Sequence, residues 1–358
     1  MNQNPQYGTY PQPSYPPVPP PYINSWQPPV WADPQKLEQK EMRRASSRLS
    51  FAVLASLPLG TIVSIAAMMI LMFSGVDLYS AEGATVGDIP ATAYYLISSI
   101  TSFLTIVLPF ALFLLIGRRR LTDTILVEKT GFLSGLLMVF AGLFLCMVMN
   151  IPANLISSLL EGAGLNGSSN TESFVVGSVW DVITMLVAVV LVAPVTEEFA
   201  FRGVTVAVMR RWGDWPAVFF SAIIFAMAHY SFQALPVVLA GGFVMALLYV
   251  WTRNIWINIF VHFLNNLVAT LPIVVEYCAG TEAANLVSDI SFYAVCVLGV
   301  LALILLLVLH FTGRRPLPIK IERGMPIRKK ALQMVVNPGF IVYFICFIAM
   351  AVVSLYAV

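Results

Sequence analysis

Charge is what this chain has least of. Of its 358 residues 11% are charged and 59% hydrophobic, with a mean hydropathy of +0.83, whereas soluble domains carry roughly 25% charged residues. That scarcity excludes a soluble globular domain and leaves a polytopic membrane protein. The net charge is +2, and the basic residues fall in short clusters between apolar runs, so no nucleic-acid partner is expected. The four cysteines, Cys146, Cys278, Cys296 and Cys346, show no C-x-x-C spacing. Three of them lie inside apolar runs, where a free thiol behaves as a small hydrophobe, so no disulfide framework or cysteine metal site is expected. There is no H-E-x-x-H. The first apolar run begins only near Phe51 behind a polar leader, so no secretory signal peptide is expected. The terminal SLYAV is no C-a-a-X box, so the chain is not expected to be prenylated itself.

Long apolar stretches are what it has instead. A bilayer-spanning helix needs about 20 residues, and such stretches occur near 51–74, 91–117, 131–151, 174–196, 216–235, 236–252, 255–275, 291–312 and 338–358. The expected fold is therefore an all-α transmembrane bundle of about 8–9 spans, the boundary between the fifth and sixth being the least sharp. Lys and Arg concentrate in cytoplasmic loops of membrane proteins. With the N-terminus inside, Lys36 to Arg48, Arg118 to Lys129, Arg202 to Arg211, Arg253 and Arg314 to Lys330 all fall on the cytoplasmic side, accounting for all 20 basic residues. The opposite loops hold Asp77, Glu82, Asp88, Glu161, Glu172, Glu276, Glu282 and Asp289 and no Lys or Arg. The Pro- and Tyr-rich leader YGTYPQPSYPPVPPPYINSWQPP resists helix formation and is expected as a disordered cytoplasmic tail over 1–48, with a proline-binding partner as the functional alternative.

Three polar clusters interrupt the apolar pattern: Glu197-Glu198-x-x-x-Arg202, Phe225-x-x-x-His229 and His262-x-x-x-Asn266. Within each, the i,i+4 spacing puts the pair on one helix face. Glu198 and Arg202 form an ion pair in the favourable orientation, which leaves Glu197 available as a base for water. Phe225 walls a pocket for His229, and His262 with Asn266 presents two hydrogen-bond donors suited to a developing oxyanion. Asn265 is an alternative to Asn266, since i+3 also faces His262. Arg210-Arg211-Trp212-Gly213-Asp214 reads as a helix–helix turn before Pro216, and Glu197 and His229 lie sixteen residues to either side of Gly213, so an antiparallel hairpin sets them level. Asp181 turns to the opposite helix face from Glu197 and reads as a packing or interface residue. His310, at a basic helix end, reads as interfacial.

At these residues the sequence resembles the CPBP family of intramembrane proteases, which contains type II CAAX prenyl endopeptidases and bacteriocin-processing or self-immunity (Abi) proteins. The resemblance covers roughly 175–275 and rests on EEFAFRG, FAMAH and HFLNN, with the Pro194 and Gly203 flanks. It implies a helical membrane fold with an intramembrane cavity open to the cytoplasm that hydrolyses peptide bonds. It further implies that Glu197 and His229 activate water, that His262 and Asn266 form the oxyanion site, and that Glu198 and Arg202 complete the glutamate–arginine motif. The core expected on this basis is 174–275, between N-terminal spans over 49–173 and C-terminal spans over 276–358. No cofactor or metal site is assigned. Zinc held by Glu197, His229 and His262 stays open as the lesser alternative, because a histidine bound to zinc cannot also be the base.

The resulting expectation is a multi-pass cell-membrane endopeptidase acting on a peptide or protein substrate, lipid-associated or not, with membrane lipid as its surroundings. The rival from another class is a non-catalytic immunity or scaffold protein using the same pocket for binding. A proton-coupled transporter is the third class, since Glu and His chains relay protons within membranes. It is disfavoured by the lack of an inverted repeat or paired broken helices.

Overall fold

The computed structural model describes residues 33–74, 85–86, 89–165, 174–313 and 325–356. The leader up to Ala32 lies outside the described residues, as do Asp77, Glu82, Asp88, Glu172, Arg314, Arg315, Lys320 and Arg323 of the charge pattern. Among the described residues the fold is helical apart from one antiparallel two-residue pair, Thr85–Val86 with Ile89–Pro90. Eight helices among the described residues are long and apolar enough to cross a membrane: α1 Pro34–Phe73, α2 Ala91–Ile116, α3 Phe132–Gly162, α4 Val179–Trp212, α6 Leu235–Thr252, α7 Ile255–Ala279, α8 Thr281–Phe311 and α10 Pro338–Tyr356. Among the described residues shorter helices also occur, α5 Asp214–Met227, α9 Ile327–Val335 and the single turn Leu121–Thr124. The chain is a multi-pass membrane protein.

Two expectations change. The tail expected over 1–48 gives way to helix at Pro34, because Asp33 accepts a hydrogen bond from the Gln35 N–H as N-cap and Pro34 occupies the first turn, where its missing N–H costs nothing. From there Met42, Ala45, Leu49, Ala52 and Val53 recur at three- and four-residue spacing and are all buried. The fifth expected span, 216–235, also does not form as one helix. At 14 residues, α5 rises about 21 Å at 1.5 Å per residue, short of the about 30 Å hydrocarbon core. It stops because Ser231, Gln233 and Ala234 find local partners instead of continuing the ladder. The Ser231 hydroxyl donates to Gln233 Oε1 at 2.8 Å and accepts from the Ala234 N–H at 3.2 Å, and Tyr230 takes a left-handed φ of 49°. Such a turn is tolerated in apolar surroundings only when buried in protein, and Ser231 and Gln233 are buried.

The α5–α6 hairpin is among the most closely packed helix pairs of the bundle. Every residue of α4 from Ala200 to Val206 is buried, so α4 runs through the centre of the bundle, while α8 turns Leu298, Leu301 and Leu305 outward. Two stretches of π-helix, Phe103–Val107 in α2 and Leu186–Val192 in α4, end two residues before Pro109 and Pro194. Proline lacks the N–H that the preceding turn would use, and the widened turn re-satisfies the freed carbonyls. A third π stretch, Glu198–Val206, carries the polar site.

Candidate active site

The site is built outward from α4. Glu198 and Arg202 form an i,i+4 ion pair at 2.7 Å with both side chains fully buried. Arg202, which the charge pattern groups with the cytoplasmic loops, is therefore an interior residue: a buried charge is tolerated when paired and hydrogen-bonded. Its Nη2 donates to the Gly242 carbonyl at 3.2 Å, and its guanidinium lies 4.4 Å from the centre of the Phe225 ring. Glycine at 242 makes this approach feasible, because a Cβ there would meet Phe225 Cδ1 at 2.8 Å.

Helix α7 supplies a second layer. Asn258, His262 and Asn266 follow one another at four-residue spacing on one face, and α7 is started by Asn254, whose side chain caps the Trp256 N–H at 3.0 Å. His262 Nδ1 lies 3.0 Å from Glu198 Oε1. Asn258 Nδ2 donates to the other Glu198 oxygen at 3.4 Å and to the Met245 carbonyl at 2.6 Å. Glu198 therefore gathers Arg202, His262 and Asn258, and is more than the partner of Arg202 expected from spacing. Asn258 is the residue that sequence reasoning missed; its signal was an amide in an apolar run four residues before His262. Asn266 Nδ2 donates to the Val189 carbonyl at 2.8 Å, tying α7 to α4, and its Oδ1 accepts from Asn265 at 3.3 Å. Asn265 thus orients the Asn266 amide.

His229 sits in the turn after α5, its Nδ1 3.0 Å from the Phe225 carbonyl. A carbonyl only accepts, so Nδ1 carries the proton and, in the neutral ring, Nε2 keeps its lone pair. The Phe225 ring stands edge-on to both imidazoles, with centroids 5.1 Å from His229 and 6.3 Å from His262. His229 is the wall between two cavities of about 220 Å³ each. One is shared with Glu197, Phe201, Ser56 and Phe110, the other with His262, Asn265, Asn266 and Asn150. The Glu197 side chain is 18% exposed, and its Oε2 lies 3.8 Å from His262 Nε2. All six residues singled out by spacing, Glu197, Glu198, Arg202, His229, His262 and Asn266, are thus joined by direct contacts or shared cavity walls.

Two other ionisable residues lie elsewhere. Asp181 is buried near the start of α4, where it accepts from the Thr92 hydroxyl and, at 3.1 Å, from the Gly177 N–H, linking α2 to α4. His310 packs on Phe311 in the last turn of α8. Among the described residues no three His, Cys, Asp or Glu side chains are grouped to hold a metal ion.

Residues 179–268 match the family model described as type II CAAX prenyl endopeptidase Rce1-like, an interval that contains every residue of the site. Among curated proteins, YdiL of Bacillus subtilis strain 168, named as a candidate membrane peptidase, is 29% identical over 140 residues, which is 39% of this chain and 57% of that protein. MroQ of Staphylococcus aureus strain USA300, named a membrane-embedded CAAX protease, is 28% identical over 132 residues, or 35% of this chain and 53% of that protein. The matched segment spans little more than half the length of these relatives. No solved structure matches the chain.

Proposed function

We propose, on the premise that residues 179–268 are a Rce1-like segment, that this chain is a membrane-embedded endopeptidase hydrolysing a peptide bond with water activated by Glu197 and His229. One observation carries the reading: Glu197 is a partly accessible carboxylate on a cavity shared with His229 and 3.8 Å from His262, while the adjacent Glu198 is buried in pairing. Two neighbouring glutamates thereby have separate tasks, one poised at accessible space and one fixed in the interior.

The chemistry follows from the donor and acceptor inventory. A water held by Glu197 and the His229 Nε2 lone pair gives one proton to Glu197 as its oxygen attacks the scissile carbonyl carbon. The carbonyl oxygen becomes an oxyanion. It is met by the second N–H of Asn266, whose first is committed to Val189, and by His262 Nε2–H. This role needs a proton on both ring nitrogens of His262, with Glu198 facing Nδ1 and Glu197 facing Nε2. When the carbon–nitrogen bond breaks, Glu197 returns its proton to the leaving amine. The site uses no metal in this scheme, because the His229 Nε2 lone pair is committed to water.

The substrate is a peptide or protein, membrane-associated, reaching the site from the cytoplasmic side, with the N-terminus of the chain on that same side. The test is cleavage of a peptide library by the purified full chain in detergent, with and without a chelator. Cleavage by the wild type that disappears in Glu197→Gln supports hydrolysis. Peptides that bind to the wild type but are never cut would instead establish the non-catalytic immunity or scaffold role.

A further inference from the structure

We propose that the groove between α1 and α2 at the arginine-rich end of the bundle is a binding site for an anionic phospholipid. The groove encloses about 670 Å³, within the size range of small-ligand pockets. Its two ends differ in chemistry. At one end stand Arg44 and Arg48 of α1, Arg119 just past α2, and Arg211 at the end of α4. Among the described residues one acid, Glu41, lines the groove, 3.4 Å from Arg211. Four guanidinium groups therefore face one carboxylate.

The side chains of Arg44, Arg48 and Arg119 are exposed and make no ion pair or hydrogen bond with the described residues, so their donors are available. Arg211 is held by stacking on the Trp212 ring at 3.8 Å. Guanidinium forks match phosphate oxygens in bidentate geometry, where an ammonium would act only as a point charge. The other end is apolar. Phe51, Leu112 and Ile116 line it and are 45%, 46% and 81% exposed, in helices that continue into the membrane-spanning bundle. A phosphate at the arginines and an acyl chain along this wall satisfy both halves at once. A free phosphate would leave the apolar wall unused, and a zwitterionic lipid would leave the excess positive charge uncompensated. The site lies along the same helix pair that lower down contributes Ser56 and Phe110 to the Glu197 cavity, yet it uses none of the residues assigned to hydrolysis.

The test is lipid retention. The full chain is reconstituted in nanodiscs of equal parts phosphatidylcholine and phosphatidylglycerol, released into detergent, and its bound lipids are counted by native mass spectrometry. The wild type retains phosphatidylglycerol in preference to phosphatidylcholine. Arg44→Gln/Arg48→Gln/Arg119→Gln lowers that retention on the order of tenfold, whereas Arg118→Gln/Arg120→Gln/Lys129→Gln, which removes equal charge at the same end but outside the groove, does not. The Lys triple at 44, 48 and 119 keeps the charge without the fork and falls between, so a folding defect in the Gln triple cannot decide the result alone. Equal loss in both Gln triples would reduce the effect to diffuse electrostatics and overturn the site. So would equal retention of the two lipids by the wild type, or displacement of phosphatidylglycerol by glycerophosphoglycerol, which has the headgroup and no acyl chain.

Discussion

Glu198 and His262 are hydrogen-bonded across the α4–α7 interface, 3.0 Å from Oε1 to Nδ1. The same Glu198 oxygen accepts from Arg202 at 2.7 Å. A carboxylate so placed fixes which ring nitrogen of His262 carries the inward proton and turns the other toward Glu197. On the proposed mechanism the second glutamate of the pair is thus the positioning residue, and the first is the reacting one.

The two glutamates should separate by measurement. Glu197→Gln keeps the side-chain shape and is expected to abolish turnover while leaving the melting temperature unchanged. Glu198→Gln leaves Arg202 buried without its counter-charge, and breaking a buried pair from one side costs about 3–5 kcal/mol. Stability and activity should therefore fall together, read by a thermal melt beside the cleavage assay. If both variants lose activity with no change in melting, this division of labour is wrong.

Helix contact at Gly242 is the next point of attack. A Cβ at this position would lie 2.8 Å from Phe225 Cδ1, and overpacking of this kind costs about 1–3 kcal/mol. Gly242→Ala is expected to lower the melting temperature and, through the displaced Phe225 ring, the activity. Phe225→Leu in the same chain should restore much of the stability, since it removes the ring edge that clashes. Equal destabilisation in the single and double variants would place the strain elsewhere.

The apolar runs and the three polar clusters made the bundle and the residues that gather at the candidate site legible, because length, hydropathy and i,i+4 spacing are properties of a single helix. What stayed hidden depends on contacts between helices or on local backbone competition. Spacing paired Glu198 with Arg202 but could not show that His262, 64 residues away, shares the same oxygen. Arg202 looked like a loop charge because charge counting does not see its buried partners. The end of α5 at Met227 was missed because 216–235 is apolar on average, while Ser231 and Gln233 divert the backbone through their own hydrogen bonds. Pro109 and Pro194 were visible as residues, but the π turns before them are a response of the surrounding helix.

Orientation can be read with single reporter cysteines in a chain whose four native cysteines are replaced by alanine. Ala163 follows α3 at the end away from the arginine clusters, and Thr312 follows α8 at the basic end; both are exposed. They are better sites than the adjacent Gly164 and Gly313, whose φ values of 74° and 70° would strain a side chain. With the N-terminus inside, a membrane-impermeant maleimide added to intact cells should label Ala163→Cys, and Thr312→Cys only after permeabilisation. The reverse pattern would invert the topology and place the access of substrate on the other side of the membrane.

The oxyanion assignment and the metal question are settled by the same set of variants. Asn266→Ala removes one donor to the oxyanion, for which the usual loss is about 10²-fold to 10³-fold in the chemical step, while KM should change little. It also frees the Val189 carbonyl, so a stability loss of about 1 kcal/mol is expected beside it, and the rate must be taken from single turnovers of the folded fraction. If the rate falls only in proportion to the folded fraction, Asn266 is a tie between α4 and α7 and nothing more. For His262 the two schemes diverge in a different observable. As an oxyanion donor it leaves the metal content of the purified protein at zero, and a chelator does not slow the wild type. As a zinc ligand it would bring about one tightly held zinc per chain, lost in both His229→Ala and His262→Ala. Elemental analysis that finds such zinc would overturn the metal-free scheme, since the lone pair assigned here to water on His229 would then be committed to the ion.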